Sequence, residues 1–139
     1  MSDIPSSKLN YIEGEADVYA ETVARTGKPL ASFDISFDDE PGNWETVKKL
    51  GESVKQKATD YGIKCFVRNF RQEYKDNKDG HVYTTPAVDF CYYEDEKILS
   101  EYLSIVTKET RSMEDHKNLG KIFGYTEEII NEFLKRQIR

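Results

Sequence analysis

Three side chains could take part in acid–base or phosphoryl chemistry. His81 stands at the start of a strand-like run close to Asp79, and a histidine beside a carboxylate can act as a general base or hold a phosphate. Asp34 and Asp89 fall on two different strand-like runs, and neighbouring carboxylates can hold Mg²⁺. We therefore take His81, Asp34 and Asp89 as the candidate catalytic residues. The sequence has no serine or cysteine in the setting of an activated nucleophile, and it favours a protein that is not an enzyme.

An acidic run follows the first of these carboxylates. Asp38, Asp39 and Glu40 stand just after a predicted strand, where magnesium enzymes often gather their ligands. The spacing is not that of a calcium-binding loop, and no Cys/His spacing suits zinc. We expect neither a bound metal nor a cofactor. Exposed carboxylates also attract basic partners, so these three residues are candidate binding residues.

A second candidate site is a strand-like run, residues 64–75, that mixes aromatic and basic side chains. Strand alternation places one set on a single face: Lys64, Phe66, Arg68, Phe70, Gln72 and Tyr74. Aromatic rings between basic side chains can stack nucleobases and neutralise phosphate, which makes Arg68 and the nearby Arg71 candidate binding residues. In the alternative, Phe66 and Phe70 pack in the core while the aliphatic part of Arg68 lies beside them. The sequence leaves both interpretations open.

Charge is unevenly distributed along the 139 residues, whose net charge is −6. Residues 1–45 hold ten acidic against three basic residues, a net charge of −7, and residues 46–139 hold sixteen against seventeen, a net charge of +1. An acidic segment repels phosphate backbones and favours basic partners or simple solubility. The nine tyrosines cannot all be core, and exposed tyrosine is common at protein interfaces. Tyr92 is therefore a further candidate binding residue.

Hydrophobic periodicity predicts the scaffold that positions these residues. Helical spacing appears in residues 9–23, 44–61 and 98–106, and again after two capping signals, Ser112 with Asp115 and then Thr126. Strand alternation appears in three further segments, residues 31–37, 63–74 and 81–93. The order predicts an α+β fold in which a small three-stranded sheet, a strand–helix–strand unit plus a hairpin, is packed by an N-terminal helix and a C-terminal three-helix segment. We expect one globular domain over residues 1–139, with residues 1–8 flexible.

Local signals predict the boundaries, the strand order and the core. Gly14 suggests that the first helix begins after it, and Asn43 is the expected N-cap of the second helix. Pro86 cannot donate a ladder hydrogen bond, which favours the third strand at the sheet edge beside the second; in the rival arrangement it lies between the other two. The side chains expected in the core are Phe33, Ile35, Trp44, Val47, Phe66, Leu99, Leu103 and Phe133.

The two cysteines bear on the compartment. Cys65 and Cys91 stand inside apolar runs without a secretory leader, which is typical of reduced thiols in a reducing compartment. The sequence has no stretch that is apolar over the length needed to span a bilayer. We expect a cytoplasmic protein without a membrane partner.

Two classes of function are compatible with these observations. The preferred class is a non-catalytic, acidic, Tyr-rich binding or regulatory module: an inhibitor, mimic or adaptor that acts on a protein partner. The alternative is a small protein that binds a nucleotide or single-stranded nucleic acid, or a phosphoryl-processing enzyme, and uses the hairpin of residues 64–93. The lack of any catalytic spacing favours the first class.

Overall fold

The computed structural model describes residues 3–137, and within that range the chain forms five helices and three strands. The helices are α1 (Ser6–Thr26), α2 (Pro41–Tyr61), α3 (Glu96–Val106), α4 (Met113–Ile122) and α5 (Glu127–Gln137). The strands are β1 (Leu30–Ser36), β2 (Lys64–Lys75) and β3 (Val82–Tyr93). This is the small α+β fold that the sequence predicts. Met1 and Ser2 lie outside the described residues. They belong to the N-terminal segment that we expected to be flexible and in which we saw no leader.

Both long helices end at a glycine. Gly27 and Gly62 have φ angles of 75° and 72°, a left-handed conformation that glycine adopts without a Cβ clash. The predicted start of α1 after Gly14 is wrong, because the helix already includes Ser6. Its apolar stripe reaches back to Ile12, which is buried in the core, and this packing outweighs the weak helix propensity of one glycine.

The start of α2 also differs from the prediction. The helix begins at Pro41, whose fixed φ and missing N–H suit the first turn. Asn43 is therefore not the N-cap but a buried residue inside the first turn. Its side chain accepts a hydrogen bond from the Ile4 N–H at 3.2 Å and donates one to the Asp38 carbonyl at 3.0 Å. These bonds tie the segment before α1 to the loop before α2.

Strand β3 lies at the centre of the sheet, in the order β1–β3–β2, with antiparallel pairing on both sides. The edge position predicted from Pro86 is therefore wrong, and the rival arrangement is correct. The Pro86 carbonyl accepts the Phe37 N–H at 3.1 Å, so the proline nitrogen also faces the β1 side of the strand. The ladder with β1 ends at Ser36, opposite Ala87. The N–H that Pro86 lacks would therefore lie beyond the last residue pair of the β1–β3 ladder.

The two faces of the sheet bury two separate cores. On the α1/α2 face, the largest core members are Phe33, Phe37, Phe90 and Tyr92. On the α3/α4 face, the helices pack near the end of the sheet where Leu30 pairs with Tyr93. Toward the hairpin on this same face, Asp34 and Tyr83 are exposed. The C-terminal helices therefore cover one end of the α3/α4 face more completely than the other.

The predicted core is confirmed at four positions, is half-buried at two and is wrong at two. The buried residues are Phe33, Ile35, Val47 and Leu99, and the half-buried ones are Phe66 and Leu103. Trp44 and Phe133 are exposed. Trp44 lies in the first turn of α2 with its ring against Phe37, and Phe133 lines an open groove between α4 and α5. Periodicity places a residue on the apolar side of a helix but does not show how much of that side is covered.

The two capping signals of the C-terminal segment are confirmed. The Ser112 side chain accepts the Asp115 N–H at 3.1 Å, and the Asp115 carboxylate accepts the Ser112 N–H at 2.9 Å. Thr126 Oγ1 accepts the Ile129 N–H at 3.2 Å and caps α5. Among the described residues, no helix has both the length and the apolar character needed to cross a membrane.

Phe33→Ala should lower the free energy of unfolding by roughly 3–5 kcal/mol, because it removes a buried ring and leaves a cavity. The Phe33 ring centroid lies 5.5 Å from that of Tyr19, 5.4 Å from Phe90 and 5.8 Å from Tyr92. Urea unfolding followed by circular dichroism measures the change. Tyr11→Ala, at an exposed site on α1, is the matched control and should change stability by about 0.5 kcal/mol or less. An unchanged urea midpoint in Phe33→Ala would show that β1 does not pack as described.

Candidate functional site

The acidic loop between β1 and α2 lies against the predicted hairpin site. Asp39 Oδ1 accepts the Trp44 Nε1–H at 2.8 Å, and Asp39 Oδ2 lies 3.6 Å from Arg71 Nη1. Asp38 is exposed, and Glu40 is the half-buried N-cap residue of α2. Because β3 extends beyond the end of β1, Arg71 on β2 can reach the loop. The structure thus brings together two candidate sites that the sequence presents separately.

A pair of tyrosines lies on the α3/α4 face at the same end of the sheet. Tyr74 and Tyr83 are opposite each other in the β2–β3 register, and their rings stack with centroids 5.6 Å apart. The Tyr74 hydroxyl is 2.9 Å from Ser36 Oγ, which fixes the ring against the end of β1. The two tyrosines are nevertheless 37% and 46% exposed. They form a preordered aromatic surface.

Exposed acidic and aromatic side chains therefore surround the end of β1 and the adjoining part of the hairpin. We call this set, which extends around the end of β1 from one face of the sheet to the other, the hairpin-end surface: Asp34, Asp38, Asp39, Trp44, Tyr74 and Tyr83. Of its three carboxylates, that of Asp39 forms an ion pair with Arg71, and this pair is exposed and solvent-screened. Lys8 Nζ also lies at this end of β1, 3.3 Å from the Ser36 carbonyl oxygen. The surface therefore keeps an excess of negative charge. Trp44, assigned to the core by periodicity, is 40% exposed here.

A buried polar cluster lies nearer the middle of the α3/α4 face. Asp89 Oδ2 accepts the Tyr102 hydroxyl at 2.6 Å and lies 3.5 Å from Arg68 Nη2. The Cys91 thiol is 3.6 Å from the same oxygen, and Ser32 Oγ is 3.3 Å from the Tyr102 hydroxyl. Asp89 is buried, so its carboxylate needs these donors. The cluster links α3 to the central strand, β3, through the hydrogen bond between Tyr102 and Asp89.

Asp34 and Asp89 are direct cross-strand partners. Burial raises the pKa of the Asp89 carboxyl, the hydrogen bond from Tyr102 and the charge of Arg68 partly lower it, and the charge of Asp34 raises it again. A metal would need more ligands than these two carboxylates. Across residues 3–137, no group of three or more His, Cys, Asp or Glu side chains could hold a metal ion.

His81 lies apart from the other two catalytic candidates. It stands in the exposed turn of the hairpin, where its backbone N–H donates to Asp79 Oδ1 at 2.8 Å. Asp89 is eight positions further along the strand, which at about 3.3 Å per residue corresponds to roughly 26 Å. The structure therefore brings Asp34 and Asp89 together but leaves His81 far from both.

The mixed aromatic and basic face of β2 is largely engaged within the protein. The Arg68 guanidinium lies 4.3 Å from the centroid of the Phe70 ring, in addition to its contact with Asp89. Phe66 packs against the core under α3 and α4. Lys64 Nζ forms an ion pair with Glu96 at 3.1 Å. Both the ring of Phe70 and the charge of Arg68 thus already have a neighbour that a nucleobase or phosphate would have to displace.

Tyr92 is not accessible to a partner, and its prediction as a binding residue is wrong. It is fully buried in the core of the α1/α2 face, where its hydroxyl donates to the Val54 carbonyl at 2.7 Å. The tyrosine that sequence reasoning missed is Tyr83. Its position opposite Tyr74 follows from pairing the two strands across the predicted turn, which was the available signal.

The two cysteines point to opposite faces of the sheet. Cys65 pairs with Tyr92 and faces α2, while Cys91 pairs with Phe66 on the other face. Both are free thiols. Burial raises the pKa of Cys65 to about 11 and that of Cys91 further. A disulfide between them would require one strand to turn over, and neither thiol is activated as a nucleophile.

Comparisons with known proteins give no relative from which a function could be transferred. No family model matches the chain, and neither a curated protein nor a solved structure matches it significantly. A function can therefore be inferred only from the surfaces of this chain.

Tyr102→Phe should destabilise the protein by about 1–3 kcal/mol, because it removes a donor from the buried Asp89 carboxylate. Folding raises the pKa of the Asp89 carboxyl. The contribution of Asp89 to stability is therefore complete below its pKa in the unfolded chain, and it is lost as the pH rises through its pKa in the folded protein. Removing Tyr102's hydrogen bond raises that pKa further. The penalty should therefore be larger at about pH 8 than at about pH 4.5, as measured by urea unfolding.

Tyr92→Phe is the matched control, because it also removes a buried tyrosine hydroxyl but one that donates to a backbone carbonyl. Its penalty should be nearly the same at both pH values. A Tyr102→Phe penalty that is equally independent of pH would show that Asp89 does not ionise inside the folded protein.

Proposed function

We propose that the protein is a non-catalytic binding module, an inhibitor, mimic or adaptor, that uses the hairpin-end surface to bind a basic segment of a protein partner. The observation that carries the proposal is the combination of three exposed aromatic side chains with unneutralised carboxylates. Trp44, Tyr74 and Tyr83 are each held by contacts within the chain, and Asp34 and Asp38 lie at the same end of the sheet.

The aromatic side chains supply the contact area. Tryptophan and tyrosine are frequent binding hot spots, because they bury large rings and retain a polar group for hydrogen bonding. Here Trp44 is fixed by Asp39 and by the edge of Phe37, with ring centroids 5.0 Å apart. Tyr74 and Tyr83 are fixed against each other. Because these rings are ordered before binding, association loses less side-chain entropy than it would with mobile rings.

The carboxylates supply the selectivity for a basic partner. Asp39 binds the Trp44 indole directly and Asp38 precedes it in the same loop, so an arginine or lysine at Trp44 could contact a ring and a carboxylate at once. Exposed charges of this kind mainly accelerate the encounter and are screened by salt. Affinity should therefore come from the aromatic side chains and the rate of association from the acidic ones.

The alternative function at residues 64–93, binding of a nucleotide or single-stranded nucleic acid or phosphoryl processing, has weaker support. It requires free positive charge, but Arg68 contacts the Asp89 carboxylate and Arg71 contacts Asp39. It also requires several free ring faces, but Phe70 is covered by Arg68, and Tyr74 and Tyr83 each use one ring face in their mutual stack. The same carboxylates would repel a phosphate backbone.

Trp44 provides a direct test, because it is the one tryptophan in the sequence and belongs to the proposed surface. An arginine-rich peptide should change its fluorescence, and a thymidine oligonucleotide of similar length should not. The triple variant Asp38→Lys/Asp39→Lys/Glu40→Lys should slow association with the peptide, most strongly at low salt. The triple variant also removes the Asp39 carboxylate that accepts the Trp44 hydrogen bond, so the fluorescence of Trp44 changes for a reason other than binding. Isothermal calorimetry therefore measures the affinities independently.

The matched control is Glu13→Lys/Glu101→Lys/Glu109→Lys, which makes the same change in net charge at exposed positions elsewhere. It should leave most of the binding intact. Equal weakening by both triple variants would show that net charge alone attracts the peptide. Binding of the oligonucleotide in preference to the peptide would support the alternative function instead.

A further inference from the structure

A second exposed surface lies at the opposite end of the molecule, between α4 and α5. It is an open groove of about 940 Å³ whose apolar lining includes Leu119, Phe123, Ile129 and Phe133. Ile129 is 54% exposed and Phe133 is 46% exposed. Two large apolar side chains beside each other on one helix are the usual mark of a contact surface rather than of a solvated face.

Helix α5 packs mainly against one neighbouring helix. It has 11 residues, and isolated helices shorter than about 12–15 residues are marginal in water, so it depends on packing. Its main neighbour is α4, where the buried Ile130 packs so closely on Gly120 that a Cβ there would lie 2.6 Å from Ile130 Cγ1. The Phe133 ring lies 6.0 Å from that of His116 on α4, but Phe133 and Ile129 remain about half exposed while the groove is open. Covering them would stabilise the helix further.

The charges around the groove are balanced and arranged in a self-complementary way. α5 has Glu127 and Glu128 in its first turn and Lys135 and Arg136 in its last. When two such helices lie antiparallel, the acidic end of each meets the basic end of the other, and their helix dipoles are also opposed favourably. Two copies of one chain related by a two-fold axis produce this arrangement without any other partner.

We propose that the groove is the interface of a homodimer, in which α5 packs antiparallel to α5 of a second copy. Ile129 and Phe133 of each copy enter the groove of the other, and Glu128 lies near Arg136 of the second copy. Phe133, which is 46% exposed in one copy, thereby becomes buried. The hairpin-end surfaces remain exposed at the two far ends, so the dimer is bivalent toward a repetitive partner.

Sedimentation equilibrium of the full chain tests the proposal. The wild-type protein should form a dimer that dissociates on dilution, and Ile129→Asn and Phe133→Ser should each weaken it by at least about fivefold. Val18→Asn removes an equally exposed apolar side chain from α1 and should leave the dimer unchanged. Circular dichroism of each variant checks that helix content is retained.

A charge-exchange experiment tests the antiparallel arrangement itself. Glu128→Arg and Arg136→Glu should each weaken the homodimer several-fold, because each places like charges opposite one another. Mixing the two variants should restore dimers, since the mixed pair has opposite charges at both contacts. This comparison is insensitive to any change in the stability of α5 alone, because the same two chains are compared separately and together.

The proposal is overturned if the wild-type chain is a monomer at the highest soluble concentration. It is also overturned if the dimer is insensitive to Ile129→Asn and Phe133→Ser, which would place the interface elsewhere. Failure of the mixed charge variants to pair better than each variant alone would exclude the antiparallel contact.

Discussion

The fold depends on the burial of both faces of the inner half of β3. Residues 86–93 are buried without interruption, which requires a layer of helices on each side of the sheet. α1 and α2 supply one layer and α3 and α4 supply the other. The same burial takes the Asp89 carboxylate out of water, so that α3 must supply the Tyr102 hydroxyl and β2 the Arg68 guanidinium. This polar contact fixes the position of α3 on the sheet.

In contrast to the inner half, the outer half of β3 is exposed over residues 82–84. β1 has 7 residues and β3 has 12, so the hairpin extends past the end of β1. The acidic loop and the side chain of Arg71 occupy the space beside it, and the stacked tyrosines lie on the other face. The exposed surface is thus a direct result of unequal strand lengths. The C-terminal helices, which cover the far end, leave it open.

Local signals in the sequence predict much of the scaffold, because they depend on near neighbours. The alternation of β1, the glycine after α2, the Ser112–Asp115 capping box and the Thr126 cap all appear in the structure. Strand order was not predictable from Pro86, since a proline needs only one unpaired position and not a free edge. Trp44 and Phe133 were misassigned because helical spacing does not reveal what covers a helix.

The residues of the candidate site could also be predicted only in part from local signals in the sequence. Asp39 and Arg71 could be selected from the sequence, but their contact could not, because it joins the loop after β1 to the distant strand β2. Tyr92 was misassigned because tyrosine count does not show which rings are buried. A carboxylate within the apolar run of β3 was the one signal for the buried contact at Asp89, and it was interpreted as catalytic instead.

Amide chemical-shift mapping during titration with an arginine-rich peptide tests the central claim most directly, because it locates the contact without any substitution. We expect the largest shifts in residues 34–44 and 74–83, which carry the hairpin-end surface. Shifts confined to α4 and α5, or centred on Arg68 and Phe70 away from the acidic loop, would contradict that claim.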